Sequence, residues 1–361
     1  MRQTLNSEAE FFLQQAIRQS ATGQYEQVIA CYEKALEIQP ELYEVWNTLG
    51  NTLFSLNRNE EAIASYDKAL AIDPNLAQTW YDRGRALEHL GQLEEAIASY
   101  EKASEVQPDF YEAWINRIVA LRDLGRLDEM ITSYNQLLDI KPDFYVGWYN
   151  RGVALENLER YEEALASYDK NIELKPDDSD AWYNRGSVLL KLGNVEEAIA
   201  SFDKALEFNS HADKVLNNRG IALMYLGHLE EALASFDRVI ELTHEYQEAW
   251  NNRGVALMRL DRFDEAFASY DKALELQPED ADTFYSKACC YALQGNVEQA
   301  IANLQQAIKL NPDKCREAAK TDADFDQIRG LEQFQVLIPE NCDIEAPCDA
   351  VTAPTTDFEE Q

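Results

Sequence analysis

The chain has 361 residues, 46% hydrophobic and 11% aromatic, with 32 basic against 66 acidic side chains for a formal charge of −34. That apolar content is too high for a disordered acidic polypeptide and predicts a folded core. The charge argues against a nucleic-acid partner, because binding phosphates needs clustered Lys and Arg, and against docking on anionic lipid. No run of 18 apolar residues exists to span a membrane, so no membrane insertion is expected. The acidic start leads into an apolar run too short for a secretory signal, which makes the expected compartment cytoplasmic.

After a leader (1–8), proline recurs at 40, 74, 108, 142 and 176, then at 278 and 312, always separated by multiples of 34 residues; Ser210 and His244 occupy the two empty beats. A column 28 residues before each beat reads Phe12, Trp46, Trp80, Trp114, Trp148, Trp182, Leu216, Trp250 and Phe284. Nine in-phase units result: 9–42, 43–76, 77–110, 111–144, 145–178, 179–212, 213–246, 247–280 and 281–314, with no insertion or deletion. Each divides into two helical stretches. In the sixth, Trp182, Gly186 and Leu189 share one face, Gly193-Asn194 interrupts, and Ala198, Phe202, Ala205 and Leu206 share a second face. The proline column then redirects the chain. Acids just after it (Asp109, Asp177, Glu279) are expected to cap the next helix.

Small residues recur where the two helices must approach, Gly or Ala in the first helix and Ala in the second, with an aromatic column (Tyr66, Tyr100, Tyr168, Phe202 and others) filling the space between. The fourth unit breaks this rule with Ile118, Met130 and Leu137, so its helices are expected to stand apart. After Pro312 the period stops. Residues 313–325 read as a short helix and 326–338 as an amphipathic one, so 315–338 is expected to cap the last unit. The acidic remainder, 339–361, is expected to be a disordered, solvated tail.

Trp46-x-x-Leu49-Gly50, Ala62-x-x-x-Tyr66, Ala69 and Pro74 make this pattern resemble the tetratricopeptide repeat. The string Asp324-Phe325-Asp326-x-Ile328-Arg329 is similar to the segment that ends many bacterial, especially cyanobacterial, arrays of that family. The resemblance implies an all-α fold: a right-handed superhelical solenoid of antiparallel helix pairs, each unit stabilised by its neighbours. It also implies that the first helices line a concave groove that binds peptides or partner proteins.

Within that implied groove, the sixth position of five successive units is Asn116, Asn150, Asn184, Asn218 and Asn252. A row of amides offers donors and acceptors to an extended backbone at regular intervals; alternatively the row serves helix packing. Specificity is expected from Tyr149, Tyr183, Leu190, Ile221, Met224, Val255 and Met258, unless these pack against the second helices, and from the polar Arg85, Glu88, Arg122 and Glu156. Arg83, Arg117, Arg151, Arg185, Arg219, Arg253 and Lys287 form a basic column opposite acids such as Asp67, Glu101, Asp169 and Asp237, and are expected to pair with them.

Six cysteines at 31, 289, 290, 315, 342 and 348 form no Cys-x-x-Cys pair, and four histidines are scattered, so no metal or cofactor is expected and the thiols should be unpaired. No phosphate loop, nucleophile elbow or His-Glu-x-x-His occurs, so the chain is not expected to be an enzyme. The expected function is a scaffold or adaptor for a protein or peptide. Alternatives are a self-associating array, a detached regulatory half of a transferase, and a chaperone-type adaptor gripping a C-terminal carboxylate near Lys191, Lys214 or Arg259.

Overall fold

The computed structural model describes residues 5–208 and 212–339, which fall into two compact bodies, Met1–Ser210 and His211–Gln361. Residues 1–4 of the leader, the Ser210 beat, Cys342, Cys348 and the tail from 340 onward lie outside the described residues.

The first body holds α1 (Ser7–Ser20), α2 (Tyr25–Ile38), α3 (Tyr43–Ser55), α4 (Asn59–Ile72), α5 (Ala77–His89) and α6 (Leu93–Val106). It continues with α7 (Tyr111–Asp123), α8 (Leu127–Ile140), α9 (Tyr145–Asn157), α10 (Tyr161–Leu174), α11 (Ser179–Lys191) and α12 (Val195–Glu207). In the second body are α13 (Ala212–Tyr225), α14 (Leu229–Leu242), α15 (Gln247–Arg259), α16 (Phe263–Leu276), α17 (Ala281–Leu293) and α18 (Val297–Leu310). Then come α19 (Pro312–Thr321), a 3₁₀ turn (Ala323–Phe325) and α20 (Glu332–Leu337). The fold is all-α, built of consecutive antiparallel pairs; the first helix of each pair is helix A and the second helix B.

Close approach within a pair depends on glycine. A Cβ added to Gly50, Gly84, Gly152 or Gly186 of the first body would sit 2.5–2.6 Å from the ring of Tyr66, Tyr100, Tyr168 or Phe202 on the facing helix. Those rings are wholly buried. In the fourth repeat Ile118 fills the glycine place, and α7 and α8 approach each other less closely than the two helices of any other repeat. Tyr134, the ring opposite, is left 8% exposed where Tyr66, Tyr100, Tyr168 and Phe202 are 0%. A branched side chain in a site shaped for none holds the helices apart.

The tryptophan and proline columns are joined by a hydrogen bond. The indole Nε1 of Trp46, Trp80, Trp148 and Trp182 donates to the carbonyl oxygen of the residue six before it (Pro40, Pro74, Pro142 and Pro176) at 2.9 Å. Trp250 makes the same bond to His244 at 3.0 Å. The bond uses only a carbonyl, which explains why histidine serves on a proline beat.

Two sequence expectations are corrected. Asp109, Asp177 and Glu279 are not the side chains that cap the next helices. Asp178 accepts from the Ala181 N–H and Asp280 from the Thr283 N–H, one residue further on. The helices after Pro74, Pro108 and Pro142 have Leu76, Phe110 and Phe144 at the N-cap, with no side-chain cap. Nor is 326–338 a continuous helix: residues 326–330 form turns and only Glu332–Leu337 is helical. Arg329 explains the turn, because its guanidinium is drawn back onto the carbonyls of Ala319 (2.9 Å) and Asp322 (2.6 Å) and onto Asp326. The turn lets Phe325, Ile328, Phe334 and Ile338 all bury against the core that contains Ala288 and Leu304 of the last helix pair.

Candidate functional site

The asparagine row is tied to the preceding repeat. Asn184 Nδ2 donates to the Tyr149 hydroxyl at 3.1 Å, Asn116 Nδ2 to the Tyr81 hydroxyl at 3.3 Å, and Asn252 Nδ2 to Asn217 Oδ1 at 3.0 Å. The donor half of these amides therefore works between repeats, which is the packing alternative. Asn150 differs. The residue at the corresponding place is Ile115, which has no polar group, and Asn150 is exposed. Asn218 is half-buried in the second body.

The tyrosines of this face are partly engaged too. Tyr149 lies 6.0 Å from the Tyr168 ring and Tyr183 lies 6.1 Å from Phe202, centroid to centroid. Leu190, Ile221, Met224 and Val255 are half-buried. Met258 is 6% exposed, sits in the core with Tyr270, whose hydroxyl points at its sulfur, and so is not a groove residue. The polar groups of the first body form inward networks: Tyr100 donates to Glu88 at 2.6 Å, and Glu156 accepts from Tyr168 at 3.1 Å and from Lys191 at 3.0 Å.

Three arginines of the basic column act as clamps, while Arg151 meets Asn135 at the acid's place and Arg117 meets Glu101 and Gln136. Arg83 Nε meets Asp67 at 2.6 Å, 16 residues back, while its Nη1 donates to the Ser99 hydroxyl at 2.7 Å, 16 residues on. Arg185 repeats this with Asp169 and Ser201, and Arg253 with Asp237 and Ser269. Each of these guanidiniums also lies about 6 Å from the tryptophan three residues before it. The buried serine column was the part of this arrangement that sequence reasoning missed, although its seven serines from Ser65 to Ser269 keep the same period.

A cavity of about 410 Å³ opens where the fourth repeat is splayed. Ile118, Met130, Val153 and Phe144 line its depth; Ile115 (41% exposed) and Val146 (38% exposed) stand at its rim. Its polar groups are Arg122, Tyr134, Asn150 and Asn157. Burial pushes the Tyr134 hydroxyl up to about 12, with the Arg122 charge and the Asn150 amide pulling the other way, so it stays a neutral donor at physiological pH. Residues from α7, α8 and α9 converge here, and all are in the first body.

One group with metal-ligating atoms close together occurs among the described residues: Cys289, Asp322 and Asp324. Its hydrogen bonds give it a structural task. Asp322 accepts from the Tyr285 hydroxyl at 2.9 Å and the Cys289 thiol at 3.7 Å, and it caps the Asp324 N–H at 3.1 Å. Burial, with the two carboxylates beside it, pushes the Cys289 thiol far up, so it stays protonated. No helix among the described residues is long and apolar enough to cross a membrane.

The tetratricopeptide repeat family profile matches residues 81–143, 149–213 and 217–281, and further profiles of this repeat match 19–42, 31–64, 50–91 and 281–314. No curated protein matches the chain. Among solved structures, it is similar to YrrB, described as a TPR protein with an unusual peptide-binding site, at 28% identity and TM-score 0.43, over 52% of this chain and 97% of that one. A tetratricopeptide repeat protein from Parabacteroides merdae is 21% identical with TM-score 0.51, over 68% of this chain and 97% of that one. A chain of the Naa15/Naa10 complex with HypK-THB is 15% identical with TM-score 0.53, over 87% of this chain and 65% of that one.

Proposed function

The chain belongs to the tetratricopeptide repeat family, and from that membership we propose that it is a non-catalytic scaffold or adaptor whose helix-A face binds an extended peptide or a segment of a partner protein. Repeats of this family serve protein–protein interaction, and the finer reading concerns where. The observation that carries it is the opening at the fourth and fifth repeats. There, exposed Ile115, Val146 and Asn150 stand together beside a cavity, and Asn150 faces Ile115 where Asn116 and Asn184 meet a tyrosine hydroxyl of the preceding repeat. An exposed apolar patch with polar groups at its edge is the usual form of an interaction site.

Panning the full chain against a random peptide library displayed on phage tests this. Selected peptides should lose binding to Asn150→Trp and Arg85→Glu, on helix A, and keep it for Lys68→Glu and Lys170→Glu, on helix B. Peptides lost only from the helix-B variants, or no selection at all, would refute the reading.

A second reading has its own observation. Phe11 is 55% and Ile17 67% exposed on α1, the first helix of the array. Exposed apolar side chains on this helix favour contact between copies of the chain. Sedimentation equilibrium of the native chain and of Phe11→Ser/Ile17→Ser checks it: mass that rises with concentration only in the native chain is the expected result.

A further inference from the structure

We propose that the cavity at the fourth and fifth repeats is an anchor site, taking one large apolar side chain of the bound segment while an acidic group of that segment meets Arg122. This rests on the reading that the helix-A face binds a peptide, and it names the chemistry of the partner.

Three observations carry it. First, the space has a cause peculiar to one repeat. Ile118 stands where the other repeats have Gly or Ala, Met130 stands where all but the first have Ala, and both line the cavity. Second, its size of about 410 Å³ is that of a ligand site, and its depth is apolar: Ile118, Met130, Phe144 and Val153. A Leu, Met or Phe side chain entering it leaves water without giving up a hydrogen bond. Third, its charge opposes that of the molecule. The chain carries −34 overall, yet among the described residues lining the cavity the charged one is Arg122. Its guanidinium pairs with its sequence neighbour Asp123, and that pair is exposed on both sides (63% and 46%), so a ligand carboxylate can replace that partner at little cost. Asn150 and Tyr134 at the same edge supply further donors. Apolar depth, a cationic rim and amide donors together describe a segment in which a bulky apolar residue stands next to Asp or Glu.

The test is fluorescence polarisation of the full chain with labelled 14-residue Gly/Ser peptides carrying, at their centre, Asp-Phe, Asn-Phe, Asp-Ala or Gly-Ser. Asp-Phe is expected to bind about tenfold tighter than Asp-Ala, as burial of one large side chain implies. Arg122→Gln should abolish the preference for Asp-Phe over Asn-Phe and leave the preference for Phe. Val153→Trp and Val119→Trp, which fill the cavity from α9 and from α7, should reduce Asp-Phe to the Asp-Ala level, with unfolding curves confirming that at least one is folded. Equal binding of Asp-Phe and Asp-Ala overturns the proposal, as does indifference to both wall variants. So does 3-phenylpropanoate binding as tightly as the peptide, which would make the cavity a small-molecule site. If library-selected peptides bind the helix-A face but ignore the wall variants, the anchor fails and the peptide reading survives. If no peptide binds at all, both fail.

Discussion

The side-chain amide of Asn184 donates to the hydroxyl of Tyr149, 35 residues earlier, at 3.1 Å. A residue type that reads as a peptide-binding device is thus engaged in joining two repeats. Tyr149→Phe removes the acceptor and leaves the amide donor without it, at a cost of about 1 kcal/mol. Asn150→Ala, at the exposed member of the same row, should cost much less. Urea denaturation of the two variants beside the native chain measures this, and equal losses would contradict the distinction between them.

The glycine–aromatic contacts predict steric sensitivity. In Gly186→Ala the new Cβ would stand 2.6 Å from the Phe202 ring, so one helix must shift. We expect a loss of about 1–3 kcal/mol and a lower thermal midpoint. The double variant Gly186→Ala/Phe202→Leu should recover part of it, because Ala288 faces Leu304 in the last repeat. No recovery would mean that the ring contact is not the cause.

Between helices A and B the chain passes through a left-handed residue. In six repeats this is glycine, such as Gly193 at φ 80°, but in others it is Asn57, Glu159 or Asp261, each near φ 57–59°. A side chain there meets its own backbone, so Glu159→Gly should stabilise the chain by about 1 kcal/mol. Glu156→Gly, three residues earlier within α9, should do the reverse. A thermal midpoint that falls for Glu159→Gly would refute the argument.

Asp82 sits at the sixth position of the third repeat, buried, with Gln78 Nε2 donating to it at 3.1 Å. Burial pushes its carboxyl above the ordinary value of 3.8, against the opposing pull of Gln78 and Arg85. The folded chain therefore holds this proton more tightly than the unfolded chain. Its contribution to stability is full below 3.8 and declines as pH rises through the folded-state value. Asp82→Asn, which imitates the protonated form, should be the more stable chain at pH 7, with the gap narrowing as pH approaches 4. A gap that stays constant between those values would show that ionisation plays no part.

The helix pairs were legible because their signal is local. Trp182, Gly186 and Leu189 mark one face of one helix, and a 34-residue period multiplies the evidence. Partners that lie in different repeats were harder to read. Nothing adjacent to Asn184 announces Tyr149, and the two columns become a pair only once the repeats stack. The burial of Met258 escaped for the same reason, since Met224 at the matching place is half-exposed. In the terminal segment, amphipathic spacing suited a helix over 326–338. A long-range tie from Arg329 to the Ala319 and Asp322 carbonyls overrode it. The splayed fourth repeat could be anticipated from Ile118, Met130 and Leu137. That the gap remains open as a cavity, rather than closing by repacking, could not.

The arginine clamp has a consequence for how such an array can change in length. Arg83 reaches an acid 16 residues behind it and a serine 16 residues ahead, and Arg185 and Arg253 use the same offsets. Adding or deleting a whole 34-residue copy recreates every clamp at the new junction. Adding a single residue to either inter-helix turn puts the guanidinium out of register with one of its two partners. The number of copies is thereby free to drift through duplication and loss, while the length of each copy is held fixed.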